Sequence, residues 1–161
     1  MSSPPILWHW KRFAELEPGE LYALLAARAE VFIIEQACAF LDLDGLDAFA
    51  SHLLGWAERD GVRELAAYLR LIEPGRKYEE PSIGRVLTTA AFRRTGLGRA
   101  AMWEGLARAA ALYPGRGVRI GAQQRLERFY EEIGFRTVSA PYQEDGIAHV
   151  EMVRAADRAL G

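Results

Sequence analysis

The sequence predicts an α/β fold in which a mixed sheet is flanked by helices. Three observations carry that expectation. Segments with strand-like patterns alternate with segments of helical period along the whole chain. Asp60-Gly61, between two apolar runs, is a strong hairpin signal. A strand over 82–89 runs directly into a glycine-containing turn that opens a long helix.

The elements follow in order. Ile6, Trp8 and Trp10 alternate with Leu7, His9 and Lys11, so Ile6 to Arg12 is a strand. Pro18-Gly-Glu opens a helix, where proline is tolerated in the first turn. Leu21, Leu24, Leu25, Arg28 and Phe32 lie along one of its stripes, apolar but for the arginine. Ala37 to Ser51 is a loop carrying Asp42, Asp44 and Asp47. His52 to Ala57 and Glu64 to Ile72 are the two hairpin strands, and Glu73 to Pro81 is a polar loop expected to be mobile. After the strand Ser82 to Thr89 comes a basic turn, Phe92 to Gly98. An alanine-rich helix, Leu97 to Tyr113, ends at Pro114-Gly115. Val118 to Gln123 is a short strand. Leu126, Phe129, Tyr130 and Ile133 fall at helical spacing, which predicts a helix over Gln124 to Ile133 with Gly134 just past its end. Two further strands are expected near Arg136 to Ala140 and Ile147 to Arg154, then a short tail, Ala155 to Gly161.

Composition narrows the function. The chain has 161 residues, half of them hydrophobic, which suits one domain, 1–161, with a substantial core. A formal net charge of -2 gives no global basic field, so no nucleic-acid partner is expected. Cys38 is the single cysteine, which excludes an intrachain disulfide framework and a multi-cysteine zinc site; no metal is expected. No apolar run is long enough to span a bilayer and the start lacks the pattern of a signal peptide. The expected location is cytoplasmic, without a membrane partner.

The most informative segment is Arg93-Arg94-Thr95-Gly96-Leu97-Gly98-Arg99. Glycines remove the Cβ atoms that would block a ligand and permit positive φ. The first amides of the following helix lack intrahelical partners and carry partial positive charge. A pyrophosphate fits such a turn, and Arg93, Arg94 and Arg99 add charge. The spacing lacks the Lys-Ser or Lys-Thr of a Walker P-loop. A Rossmann fingerprint would follow the first strand, not a later one. Taken alone, the Gly-x-Gly could also be a plain strand-to-helix turn.

This segment resembles the signature of the GNAT family of N-acetyltransferases: Gln or Arg, two residues, Gly, one residue, then Gly or Ala, between a strand and a helix. The second family signature follows in order. Val118-Arg-Ile-Gly-Ala-Gln123 precedes Phe129-Tyr130-Glu131-Glu132-Ile133-Gly134-Phe135, which matches the family's aromatic-Tyr-x-x-aliphatic-Gly-Phe segment. Val31-Phe-Ile-Ile-Glu-Gln36, Asp42-Leu-Asp-Gly45, His52, Ala67-Tyr-Leu-Arg70, Ala122-Gln123 and Tyr142-Gln-Glu-Asp-Gly-Ile147 with His149 resemble its ElaA-like branch. The chain departs from the family pattern at Ala90-Ala91, where Pro-Glu or Pro-Asp is frequent, and at Gln123-Gln124, where Asn is frequent. The resemblance implies a GNAT-like mixed, mostly antiparallel sheet with helices on both faces. It implies acetyl-CoA as cosubstrate and an amine as acceptor, the acetyl group passing by direct attack in a ternary complex.

It also implies roles. The pantetheine arm would pair with the backbone of Val86, Leu87 and Thr88, and a backbone N–H there would polarise the thioester carbonyl. Arg93, Arg94, Thr95, Gly96, Leu97, Gly98 and Arg99 would hold the pyrophosphate. Tyr130 matches the tyrosine that protonates the leaving thiolate, although by spacing alone it could equally be a core residue. The general base stays open among Glu35, His52, His149, Glu144 and Asp145, with His149 and Glu35 placed with Tyr130 in the catalytic set. Asp42, Asp44 and Asp47 could attract a cationic amine or simply be solvated. Cys38 is expected to pack, and Trp8, Trp10, Trp56 and Trp103 to sit in core or sheet. Exposed Trp or Leu surfaces would support a homodimer. The competing reading is a non-catalytic acyl-CoA-binding sensor or partner domain that keeps the cradle but lacks the proton donor.

Overall fold

The structure, a computed structural model, describes residues 3–157; most of the expected tail, 158–161, lies outside them. The strands are β1 (Leu7–Arg12), β2 (Ala50–Arg59), β3 (Val62–Ile72), β4 (Ser82–Thr88), β5 (Val118–Gln123), β6 (Arg136–Thr137), β7 (Tyr142–Glu144) and β8 (Ile147–Arg154). The helices are α1 (Pro18–Arg28), α2 (Leu97–Leu112) and α3 (Glu127–Glu131). One sheet runs β1-β2-β3-β4-β5-β8-β6, with β7 also on β8. Every pairing is antiparallel except β4–β5, which is parallel and bridged by α2.

Local chemistry explains the elements. At the start of α1 the Glu20 carboxylate accepts the Glu17 N–H at 2.9 Å and the Lys11 ammonium at 2.7 Å, closing the first turn. Asp60 and Gly61 both adopt positive φ, +53° and +75°, so β2 and β3 are joined by the tight turn that their twist requires. β2 and β3 are buried on both faces. Leu53, Leu69, Leu71 and Ile83 pack with Met102 and Leu106 of α2. Leu54, Tyr68 and Leu87 pack on the other side with Leu24 and Ala27 of α1. Helices therefore cover both faces, as expected.

Five expectations change. The helix expected over Gln124 to Ile133 is a 3-10 turn, Gln124–Leu126, followed by only five α-helical residues. Its exit is also tight, with Ile133 N–H donating to the Tyr130 carbonyl, before Gly134 turns at φ +100°. The strand expected near 136–140 pairs only at Arg136–Thr137. Beyond it the Ser139 hydroxyl takes the Glu151 N–H in place of a ladder bond. β7 was not anticipated, yet Asp145-Gly146 makes the same double positive-φ turn (+50°, +78°) as Asp60-Gly61. Finally, the 73–81 loop is tied down. Arg76 lies 3.8 Å over the Phe49 ring, Glu80 pairs with Arg119 at 2.6 Å, and Arg116 donates to the Glu79 carbonyl at 2.8 Å. Of the four tryptophans, Trp56 is buried and Trp8 and Trp10 pack on the core. Trp103 departs from expectation: it is exposed, with the Arg154 guanidinium 5.6 Å from its ring.

Two irregularities in β4 position the site. Tyr68 pairs with Leu87 but Arg70 with Gly84, so β4 carries one extra residue, and Arg85 sits in the bulge at φ +53°. On its other side β4 pairs with β5 only at Ser82↔Arg119, next to an Arg119 N–H to Pro81 carbonyl bond of 3.1 Å. Beyond that point the two parallel strands diverge toward their C-terminal ends.

Candidate active site

A cavity of about 320 Å³ opens where β4 and β5 diverge. Ile83 to Val86 form one wall and Ile120 to Gln123 the other. Clefts at the C-terminal ends of neighbouring parallel strands are the usual ligand positions of open α/β sheets. Phe32 and Gln36 of the helical segment after α1 border it, as do Tyr130 of α3 and the β7–β8 hairpin. That segment, Ala29–Glu35, is π-helical, a wide turn frequent at functional sites. It ends in two links across the site: Gln36 to Gln123 at 3.1 Å and Glu35 to Arg93 at 2.7 Å.

Tyr130 lines the cavity and is 8% exposed. Phe129 and Phe135 hold its ring edge-on, at centroid distances of 5.1 and 5.9 Å. Burial pushes its phenol up to about 12, with Arg125 pulling weakly the other way, so it stays a proton donor. His149 also lines the cavity. Its Nδ1 lies 2.7 Å from the Ile147 carbonyl, which can only accept, so Nδ1 carries the hydrogen. In the neutral ring that leaves the Nε2 lone pair free, 3.5 Å from the Glu144 carboxylate. Tyr142 stacks on the same imidazole at 6.0 Å. Glu144 and Asp145 reach the cavity on the hairpin turn, and the Cys38 thiol donates to the Asp145 carbonyl at 3.2 Å.

Glu35 does not line the cavity; its carboxylate faces Arg93 at the glycine turn. Arg93 also donates to the Thr88 carbonyl at 3.2 Å, tying the turn to the end of β4, while Arg99 pairs with Glu132 at 2.6 Å. Thr95 donates to the Phe92 carbonyl at 2.7 Å. Gly96 caps α2 at φ +79°, a conformation that side chains resist. Gly98 is different. A Cβ there would meet nothing nearer than the Thr88 Cγ2 at 3.9 Å, so the fold itself does not need glycine at 98. An early helical glycine with no structural duty suits close approach of a phosphate to the backbone. Gly98→Ala is therefore expected to keep or slightly raise stability, since alanine is favoured in helices by up to about 1 kcal/mol. Its acyl-CoA affinity is expected to change by less than about threefold, since the family signature admits alanine at this position, whereas the bulkier Gly98→Val is expected to lose at least about tenfold, roughly 1.4 kcal/mol. Paired thermal melts and calorimetric titrations check this, and unchanged affinity in Gly98→Val would mean that the turn does not approach the ligand.

The acidic loop has another use than attracting an amine. Asp42, Asp44 and Asp47 are matched by Arg28, Arg70 and Arg85. Arg28, wholly buried, donates to Asp42 at 2.9 Å and to Asp47 at 2.7 Å. Arg70, 1% exposed, bridges Asp44 and Asp47. Arg85 reaches from the β4 bulge to Asp42 at 2.7 Å. Burial opposes charge on Asp44 and Asp47, but their arginine partners outweigh it and hold both below the usual carboxylate range. The three charges of each sign cancel, and the bulge is bolted to the loop.

His52, a candidate base, lies outside the cavity lining in that same network. Its Nε2 is 2.9 Å from the Asp47 carbonyl, so Nε2 carries the hydrogen and Nδ1 accepts from the Tyr68 hydroxyl at 2.7 Å. Burial lowers its pKa, with Asp47 opposing. These shifts set an order for acid unfolding. His52 is held neutral in the fold, so the unfolded chain protonates first as pH falls, and its contribution erodes below about pH 6.5. Asp44 and Asp47 contribute above about pH 3.9 and lose that only as pH falls through their lower folded values. Urea midpoints are expected to decline gently from about pH 7 to 5 and steeply below about pH 4. In His52→Gln the gentle stage should vanish; if it persists, another group is responsible.

Comparison with known proteins agrees with this geometry. A family model for the acetyltransferase (GNAT) domain matches residues 51–156. ElaA of Escherichia coli is 38% identical over 151 residues, 92% of this chain and 96% of that protein. A relative from Synechocystis is 42% identical over 148 residues, covering 92% of this chain and 94% of its own length. Among solved structures, an acyl-CoA N-acyltransferase from Pseudomonas aeruginosa superposes with a TM-score of 0.87 at 42% identity. It covers 94% of this chain and 100% of its own. Escherichia coli ElaA gives 0.84 at 37% identity, covering 93% and 99%. The chain belongs to the GNAT acetyltransferase family, in its ElaA-like branch, and is an acyltransferase by fold and sequence.

Proposed function

We propose that the protein transfers an acetyl group from acetyl-CoA to a primary amine by direct attack within a ternary complex. The observation that carries this reading is the divergence of β4 from β5, with Tyr130 and His149 facing the one cavity that opens there. Acetyl-CoA would supply the acyl group as a thioester, a good leaving group. The unpaired edge of β4 at Val86, Leu87 and Thr88 would take the pantetheine arm, and a backbone N–H there would meet the carbonyl oxygen. The amides of Gly96 to Arg99, with Arg93, Arg94 and Thr95, would take the pyrophosphate. His149 Nε2 removes a proton from the amine, and Glu144 stabilises the resulting cation. Tyr130 returns a proton to the leaving sulfur. Glu35, held by Arg93 and outside the cavity lining, sets the position of the glycine turn rather than contacting the amine. The sensor reading calls for a missing proton donor, and Tyr130 is in place.

The test is calorimetric titration with acetyl-CoA, followed by thiol release across a panel of primary amines. Micromolar binding and amine-dependent thiol release are expected. Binding without release for any amine would favour the sensor, and no binding would end the acyltransferase assignment for this chain. His149→Gln is expected to lower kcat by about 10²-fold with little change in acetyl-CoA affinity. An unchanged kcat would pass the base role to another group.

A further inference from the structure

The chain spends its positive charge almost entirely on arginine. Of twenty Lys and Arg residues only two are lysines, Lys11 and Lys77. Lys11 is bound to the Glu20 carboxylate at 2.7 Å, on the first strand and away from the cavity lining. Lys77 lines the cavity, together with Val86, Tyr130 and His149. Arginine keeps its proton under all ordinary conditions and cannot serve as an acyl acceptor, whereas a lysine that loses its proton is a primary amine. One side-chain primary amine thus stands among the groups assigned to amine acylation.

We propose that Lys77 is a self-acetylation site, the intramolecular acceptor of the acetyl group. This rests on the acyltransferase reading above. The loop that carries Lys77 is anchored, so the amine is presented, not swept past. The Gly75 N–H donates to the Tyr78 carbonyl at 2.7 Å across the lysine, Arg76 pairs with Glu73 at 2.8 Å, and Glu80 holds Arg119. The Tyr78 hydroxyl approaches Gly121 on β5 alongside the Tyr142 hydroxyl, each 3.2 Å from where a Cβ would stand, which closes the loop against the cavity wall. The Lys77 Nζ lies 5.5 Å from the centre of the Tyr78 ring, at the rim of the same cavity that Tyr130 and His149 line. The surroundings favour the reactive form as well. Although Lys77 reaches solvent, crowding lowers its pKa; Arg85 and Arg70 push the same way, and Glu144 and Asp44 oppose.

The step balances. The Lys77 ammonium gives a proton to His149, and its Nζ attacks the thioester carbonyl. An N–C bond forms, the C–S bond breaks, and the departing thiolate takes the Tyr130 proton. The products are acetyl-lysine and free coenzyme A thiol; the nitrogen sheds two protons, the first released to solvent through His149 and the second, lost after attack, replacing the one that Tyr130 gave to sulfur. The modified side chain is longer, neutral and lodged in the acceptor space, so self-acetylation would slow transfer to external amines.

The experiment incubates the purified chain with acetyl-CoA and no amine, following peptide masses by spectrometry while calorimetry records acetyl-CoA binding separately. Lys77 is expected to gain one acetyl group at a rate independent of protein concentration and at least about tenfold faster than Lys11. Tyr130→Phe should slow it about 100-fold. Lys77→Arg should bind acetyl-CoA normally and remain unmodified. Tight binding with Lys77 unmodified, or modified no faster than Lys11, overturns self-acetylation and leaves the acyltransferase reading intact. Absence of binding overturns both.

Discussion

Tyr130→Phe is expected to lower kcat by about 10²- to 10³-fold while acetyl-CoA affinity changes by less than about threefold. The substitution removes one oxygen and leaves the ring, so the edge-on packing against Phe129 and Phe135 persists. What is lost is the proton for the leaving sulfur. At first sight a phenol raised to about 12 is a poor acid for a thiolate. The same burial that raises the phenol also raises the proton affinity of a thiolate beside it, because both anions are deprived of water. The two rise together, and transfer remains feasible. Stability should be nearly unchanged, since the cavity side of the ring gains no unsatisfied group. Steady-state thiol release with saturating amine reads the effect. A kcat within threefold of the parent would remove Tyr130 from the chemistry and leave it a core aromatic.

Arg28→Met is expected to destabilise the fold by about 3–5 kcal/mol, measured from urea unfolding. Arg28 is wholly buried and serves three acceptors at once: Nε to Asp42, Nη1 to Asp47 and Nη2 to the Asp42 carbonyl at 3.3 Å. Removing it strands carboxylates that the fold has already taken from water. Arg70 and Arg85 remain as partners, but each already pairs with these aspartates. Arg28→Lys should recover little of the loss, because one ammonium cannot reproduce a planar fork aimed at separate acceptors. A change below about 1 kcal/mol would mean that the arginine pair left behind neutralises the loop unaided.

Much of the fold was legible because its strongest signals are local. Asp60-Gly61 needs no tertiary help to make its turn, and the expected bounds of β5 and β8 match those observed. Asp145-Gly146 carried the same signal, and reading it would have placed β7, Glu144 and Tyr142 next to His149. The tight turns that shorten α3 leave its apolar spacing unchanged, so periodicity overstated its length. Arg28 was visible as a charge in an apolar stripe, a pattern that calls for buried partners. The acidic loop supplies them from fourteen and nineteen residues further along the chain. By sequence both His52 and His149 are candidate bases, with His149 in the catalytic set; pairing geometry puts His52 in the arginine–aspartate network and His149 on the cavity. The bulge at Arg85 and the divergence of β4 from β5 arise between strands, and no single segment encodes them.

The lone Ser82↔Arg119 rung between β4 and β5 also makes the sheet mechanically two plates joined at one corner. One plate is β1 to β4; the other is β5 with β8, β6 and β7. Beyond the corner no ladder resists a shearing or hinging motion of one plate against the other. A ligand arm bonded along the β4 edge would act as a substitute strand and stiffen that seam. Binding energy then becomes rigidity of the whole sheet, so amide exchange in β4 and β5 should slow together when the gap is filled.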